Sequence, residues 1–149
     1  MGDMTMETQF DAAALPVQQR PDPLARLDGK FFWDAAQEGR LVAQECTACG
    51  GLWHPPRPMC PACHSLERGV ATLSGRGRLL SWAQSVHPRP FGFAEAPISI
   101  LVELEEGVRM VSTLEGARLA DLRADLPVEV TFVANSNGKV FPSFRLAEG

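Results

Sequence analysis

Cys46-Thr47-Ala48-Cys49 and Cys60-Pro61-Ala62-Cys63 hold all four cysteines of this 149-residue chain. Ten residues, 50–59, separate the two Cys-x-x-Cys pairs. That layout suits a tetrahedral metal: each pair turns tightly so that two thiolates converge on one ion, and a short excursion brings the second pair round. Gly50-Gly51 lets the chain turn beneath the metal, and Pro61 restricts φ inside the second pair. The spacing predicts a zinc ribbon with Cys46, Cys49, Cys60 and Cys63 as ligands and a structural zinc ion as cofactor. Rubredoxin-type iron uses the same four thiolates, so spacing alone leaves iron open. A thioredoxin-type site uses one such pair, not two. Two disulfides would need an oxidising compartment. The first sixteen residues carry neither the basic nor the apolar region of an export signal, so the expected location is cytoplasmic.

On the N-terminal side, Leu41 to Glu45 reads as a strand entering the first pair. Leu52-Trp53-His54 reads as its return. Pro55-Pro56-Arg57-Pro58 is too proline-rich for a helix or central strand and reads as a stiff connector. The ribbon therefore spans 41–70. Residues 23–40 form a helical segment, with Phe32, Ala35 and Ala36 on one face at i, i+3, i+4. Phe31 and Trp33 widen that stripe, which suits either a core-packing helix or an apolar helix docked on a partner. Gly39 is its expected stop. Residues 1–22 are polar, broken by Pro16 and Pro21, and read as a disordered tail.

Beyond Val70 the period becomes two. Leu80, Trp82, Gln84 and Val86 alternate on one face, as do Ile98, Ile100, Val102 and Leu104. Val108 to Leu114, Val128 to Ala134 and Val140 to Leu146 supply three more strands. Glu105-Glu106-Gly107 and Asn135-Ser136-Asn137-Gly138 are hairpin turns. A short helix or turn fits between Ala117 and Leu126. Five strands in this order predict an OB-fold barrel over 71–149, in a mainly β chain. Ser74-Gly75-Arg76-Gly77-Arg78 reads as the bend where the first barrel strand curls. A phosphate cradle would be followed by a helix, and here a strand follows. His87 to Pro97, with Phe91 and Phe93, is a long connector that either folds over the barrel end or faces a ligand or partner.

A formal charge of −4 and a pI near 5.3 disfavour a nucleic-acid-binding OB module, which needs a basic groove. No apolar run approaches the ~18 residues of a membrane helix. His54, His64 and His87 form no catalytic constellation with a serine or an aspartate, and metal binding leaves no cysteine to act as nucleophile. A closed S₄ site has no open position for water and is structural. No self-sufficient active site can be assembled from these residues.

An ordered string of features resembles the DUF35 proteins, a rubredoxin-like zinc ribbon followed by an acyl-CoA-associated OB-fold. The string comprises Phe32-Trp33 with Glu38-Gly39-Arg40-Leu41, the two cysteine pairs, Pro55-Pro56-Arg57-Pro58, Ser74-Gly75-Arg76-Gly77, Glu106-Gly107-Val108-Arg109 and Pro127-Val128-Glu129-Val130. Ala124-Asp125 departs from it, since the family usually has a glycine there. The resemblance implies a non-catalytic accessory subunit. It would assemble in a hetero-oligomer with a thiolase-like enzyme, a thiolase or an acyl-CoA retro-aldolase of steroid or other bulky acyl chains, and help form its acyl-CoA channel. The alternative partner is a MaoC-like enoyl-CoA hydratase. It implies Phe31, Phe32, Trp33, Phe91 and Phe93 as partner contacts, and Arg57, Arg76, Arg78 and Arg89 as cations for CoA phosphates.

Overall fold

The computed structural model describes residues 10–148. Strand β1 is Val17–Gln18, helix α1 is Lys30–Gln37, and β2 (Val42–Cys46), β3 (Leu52–Trp53) and β4 (Arg68–Thr72) follow. The remaining strands are β5 (Arg76–Gln84), β6 (Ile98–Leu104), β7 (Arg109–Glu115), β8 (Pro127–Asn135) and β9 (Val140–Leu146). Strands β3-β2-β4 form an antiparallel sheet that carries the cysteines. Strands β5-β6-β7-β9-β8 close into a five-stranded barrel, with β9 parallel to β7 and antiparallel to β8. A 3₁₀ turn at Leu119–Asp121 sits between β7 and β8, where a short element was expected. The mainly β architecture of ribbon and OB-fold follows.

Alternation works as expected on β6, where Ile98, Ile100, Val102 and Leu104 are buried. Strand β5 differs. Its pairing with β6 shifts between Leu79 and Ser81, so Leu79, not Leu80, is fully buried, while Trp82 returns to the core side. A bulge displaces alternation by one residue. Val86 lies beyond the strand and is exposed. The two glycines at the start of β5 have barrel reasons. Gly75 adopts φ +78° with Val130 against it, and a Cβ on Gly77 would meet the Glu103 carbonyl oxygen at 2.4 Å. Asp125 takes φ +66°, the left-handed conformation that explains a glycine preference at this turn.

Ribbon and barrel share one core. Leu41, Val42 and Ala43 pack with Leu79, Val102, Met110 and Phe144, and Phe32 and Ala35 of α1 join them. Leu73, between β4 and β5, is buried there and donates its N–H to the Leu41 carbonyl at 2.8 Å.

The N-terminal reading needs correction. Residues 1–9 lie outside the described residues, but 10–22 are docked, not loose. Strand β1 pairs in parallel with β8 through Val17–Ala134 and Gln18–Asn135, and Phe10 meets Phe132 edge-on at 5.7 Å. Buried Asn135 donates to the Arg20 carbonyl (3.2 Å) and to Asp22 (2.6 Å). The Arg20 guanidinium lies 4.1 Å from the Phe141 ring centroid and 5.5 Å from that of Phe93. These partners are more than sixty residues away in sequence, so no local pattern announces them. The helical segment is also shorter than expected, because Leu27–Gly29 forms a 3₁₀ turn with Leu27 at φ +53°.

Candidate metal centre and surrounding sites

The two cysteine turns repeat one backbone design. Cys46 donates its N–H to the Gly51 carbonyl and Cys60 to that of Ser65, each five residues on. Gly50 donates back to Cys46 and His64 to Cys60. Gly50 has φ +77° and His64 φ +63°. His64 thus fills the glycine position of the second turn and shapes it through its backbone. A left-handed residue other than glycine costs about 1–2 kcal/mol, and histidine tolerates the region better than β-branched residues. We expect His64→Gly to slow metal release to a chelator and raise the melting temperature slightly, and His64→Val to do the reverse. Faster release from His64→Gly would show that the imidazole itself holds the turn.

The four Sγ atoms lie within 4.8 Å of one another. Cys46 and Cys63 are 3.5 Å apart and Cys49 and Cys60 3.7 Å. A tetrahedral ion with bonds of about 2.3 Å separates its sulfurs by roughly 3.8 Å. All four cysteines are free thiols, and the Cys49 N–H points at the Cys46 sulfur at 3.4 Å. The thiols differ in acidity. The Cys63 N–H favours the Cys60 thiolate and brings its pKa down to about 6. Cys63 accepts a favourable N–H from Ser65 yet is pushed up to about 12 by the neighbouring thiols and burial. Four thiolates this close repel one another, and a divalent cation is what lets all four ionise. The donor set therefore fits a tetrathiolate metal site. Buried Cys46 and Cys60 pack with Trp53, while Cys49 and Cys63 reach the surface.

The aromatic helix residues turn inward. Phe32 is buried in the shared core, 5.1 Å from Trp33 and 5.2 Å from His54. Its own chain covers most of it, and what remains open faces the groove beside His54. Trp33 meets Phe141 at 5.7 Å, and it and Phe31 are half-buried against the same core. His54 sits among Phe32, Trp33, Pro55 and Met110 around a groove of about 280 Å³, and burial holds its pKa below the ordinary value. It stands outside the metal-ligand cluster.

The four arginines do not converge. Arg76 pairs with Glu105 at 3.2 Å, and Arg78 with Glu103 at 2.9 Å and with Asp125. Those carboxylates leave little net positive charge for a phosphate. Arg89 donates to the Ala94 carbonyl at 2.6 Å. Arg57 has no salt bridge among the described residues, and it lies outside the cleft lined by Arg76 and Arg78. Phe91 and Phe93 also part company: Phe91 projects into solvent, while Phe93 lies under Arg20. Arg20, Gln18 and Glu115 went unflagged in the sequence because their roles come wholly from tertiary contacts.

Residues 33–67 match the family described as "ChsH2, rubredoxin-like zinc ribbon domain", and residues 71–133 match "ChsH2, C-terminal OB-fold domain". The chain is 32% identical to benzoylsuccinyl-CoA thiolase subunit BbsA of Thauera aromatica, over 76% of this chain and 84% of that one. It is 35% identical to a probable enoyl-CoA hydratase alpha subunit of Thermomonospora curvata, over 89% of this chain but 41% of the relative. Among solved structures it superposes on a chain of the Ltp2-ChsH2(DUF35) aldolase with a TM-score of 0.80 and 34% identity, over 85% of this chain and 99% of that one. The fold and the cysteine centre thus define a protein with a rubredoxin-like metal ribbon joined to an OB-fold. The chain belongs to the DUF35 family, with ChsH2-type domains. It spans about two fifths of the length of the hydratase alpha subunits it matches.

Proposed function

We propose that this chain is a non-catalytic accessory subunit of a thiolase-superfamily enzyme acting on acyl-CoA, with zinc in the four-cysteine site. The observation that carries the reading is the four-cysteine centre: four thiolates within 4.8 Å of one another complete the shell of a tetrahedral ion and leave it no position for substrate. The closest hydroxyl–carboxylate pair beside a groove among the described residues, Ser143 donating to Glu115 at 2.9 Å, has its hydroxyl residue fully buried and out of a substrate's reach. Likeness over nearly a whole chain of an aldolase complex, and to a thiolase subunit, supports a partner that carries the chemistry. The substrate is a bulky acyl-CoA, steroid-derived or otherwise. Arg57 and Arg89 are the candidates kept for a CoA phosphate, because among the described residues neither guanidinium is paired with a carboxylate. No helix among the described residues is long and apolar enough to cross a membrane, and free thiolates suit the reducing cytoplasm.

A second reading has its own support. The Thermomonospora relative is named as a hydratase subunit, so a MaoC-like hydratase is the alternative partner. Co-expression with thiolase-like and hydratase chains of the same genome separates the two. The expected result is a stable complex with the thiolase-like chain, about one zinc per copy, and acyl-CoA turnover by the complex alone. Thiolysis or retro-aldol turnover by the isolated chain would overturn the proposal.

A further inference from the structure

A groove of about 680 Å³ opens at the barrel end between β1, the loop 85–97 and the end of β7. The loop is fixed. Gln84 donates to the Ala96 carbonyl at 2.9 Å and Arg89 to that of Ala94 at 2.6 Å. Gly92, at φ +90°, lies so close to the Gln19 carbonyl that a Cβ would meet it at 2.4 Å. Arg20 holds Phe93 from below. On this braced loop Phe91 is 86% exposed, with Val86 at 88% and Val17, across the groove, at 66%. Within its own chain the Phe91 side chain has almost nothing to pack on. An aromatic ring presented to solvent on a braced backbone has the form of an interface anchor: the loop is ordered before binding and only the ring's own rotation is left to fix.

Charge selects what docks there. The groove is lined by Glu95 and Glu115 and by no lysine, arginine or histidine. Such a wall offers CoA phosphates no cation. A second copy of this chain would bring the same carboxylates, on a protein of net charge −4, face to face with them. From this geometry we infer that the groove and Phe91 form the docking face for the thiolase-like subunit. That subunit offers an apolar pocket to Phe91 and basic side chains to the carboxylate wall, Glu95 above all. Glu115 already accepts from Gln18 and Ser143 and its charge is offset by the nearby Arg20 guanidinium, so Glu95 is the carboxylate left for a partner. The inference rests on the proposed partnership and adds where, and through which chemistry, the partner binds.

The test uses the full chain and the thiolase-like subunit of the same genome, with affinity measured at low and high salt. Phe91→Ala and Glu95→Lys are both surface changes, checked for unchanged melting and metal content. Leu66→Asp, exposed on the ribbon, is the control. Each groove variant is expected to weaken assembly at least tenfold, with Glu95→Lys also flattening the salt dependence, while the control binds as the parent does. If the parent assembles and both groove variants bind equally tightly, the docking face is elsewhere and the inference fails while the partnership stands. If the parent assembles with no thiolase-like chain, the partnership fails and this inference with it. Loss of a homodimer on Phe91→Ala would make the occupant a second copy and overturn the inference.

Discussion

Cys46→Ala or Cys60→Ala is expected to empty the metal site, unfold the ribbon and abolish assembly with a partner chain. These two thiols are buried against Trp53, so each substitution removes a ligand and opens the small core behind it. Structural zinc supplies about 10–16 kcal/mol in isolated finger peptides. That is comparable with the roughly 5–15 kcal/mol that holds a whole domain. The damage should spread. Strand β2 pairs along its length with β4, and Leu41, Val42 and Ala43 pack into the barrel core. Metal analysis, thermal melting and size-exclusion with the partner read the effect. Assembly retained with no bound metal would refute it. Acid should act in the same direction, because protons compete for thiolates as pH falls. The colour of the purified protein reports which metal is bound, ferric tetrathiolate being red and zinc colourless.

The second large effect lies at the barrel's closure. Phe144 on β9 is fully buried and stands opposite Leu114 of β7 and Val130 of β8. Phe144→Ala leaves a cavity where three strands meet, at a cost of about 3–5 kcal/mol. For a chain of this size that lowers the melting temperature by roughly 6–20 °C. Phe144→Leu should cost less than about 1.5 kcal/mol. Val111→Ala on the exposed face of β7 should scarcely register. A loss below about 1 kcal/mol for Phe144→Ala would mean that this ring does not hold the barrel shut.

What could be read from sequence and what could not divides along physical lines. The cysteine turns are local: ligand type and spacing alone place four sulfurs around one point. Strand alternation was legible wherever one face is buried without interruption, as on β6. It misled on β5, where the bulge near Leu80 depends on how a barrel must bend. The aromatic cluster at Phe31 to Trp33 was visible, but its direction was not, because an apolar stripe looks the same against its own barrel or another chain. Arg76 and Arg78 invite a phosphate reading until Glu103, Glu105 and Asp125 are placed beside them. Phe91 and Phe93 look equivalent in the chain, and only the position of Arg20 separates prop from anchor.

Arg20 therefore has a practical consequence for anyone trimming this protein. A shortened version starting at Leu24 would keep α1, every cysteine and all five barrel strands, and by ordinary criteria would look intact. It would lack the guanidinium that joins Phe93 to Phe141 and the Gln19 backbone against which Gly92 rests. The loop bearing Phe91 would lose its brace, and a well-folded, metal-loaded protein would fail in binding for want of a segment that the sequence alone reads as a loose tail.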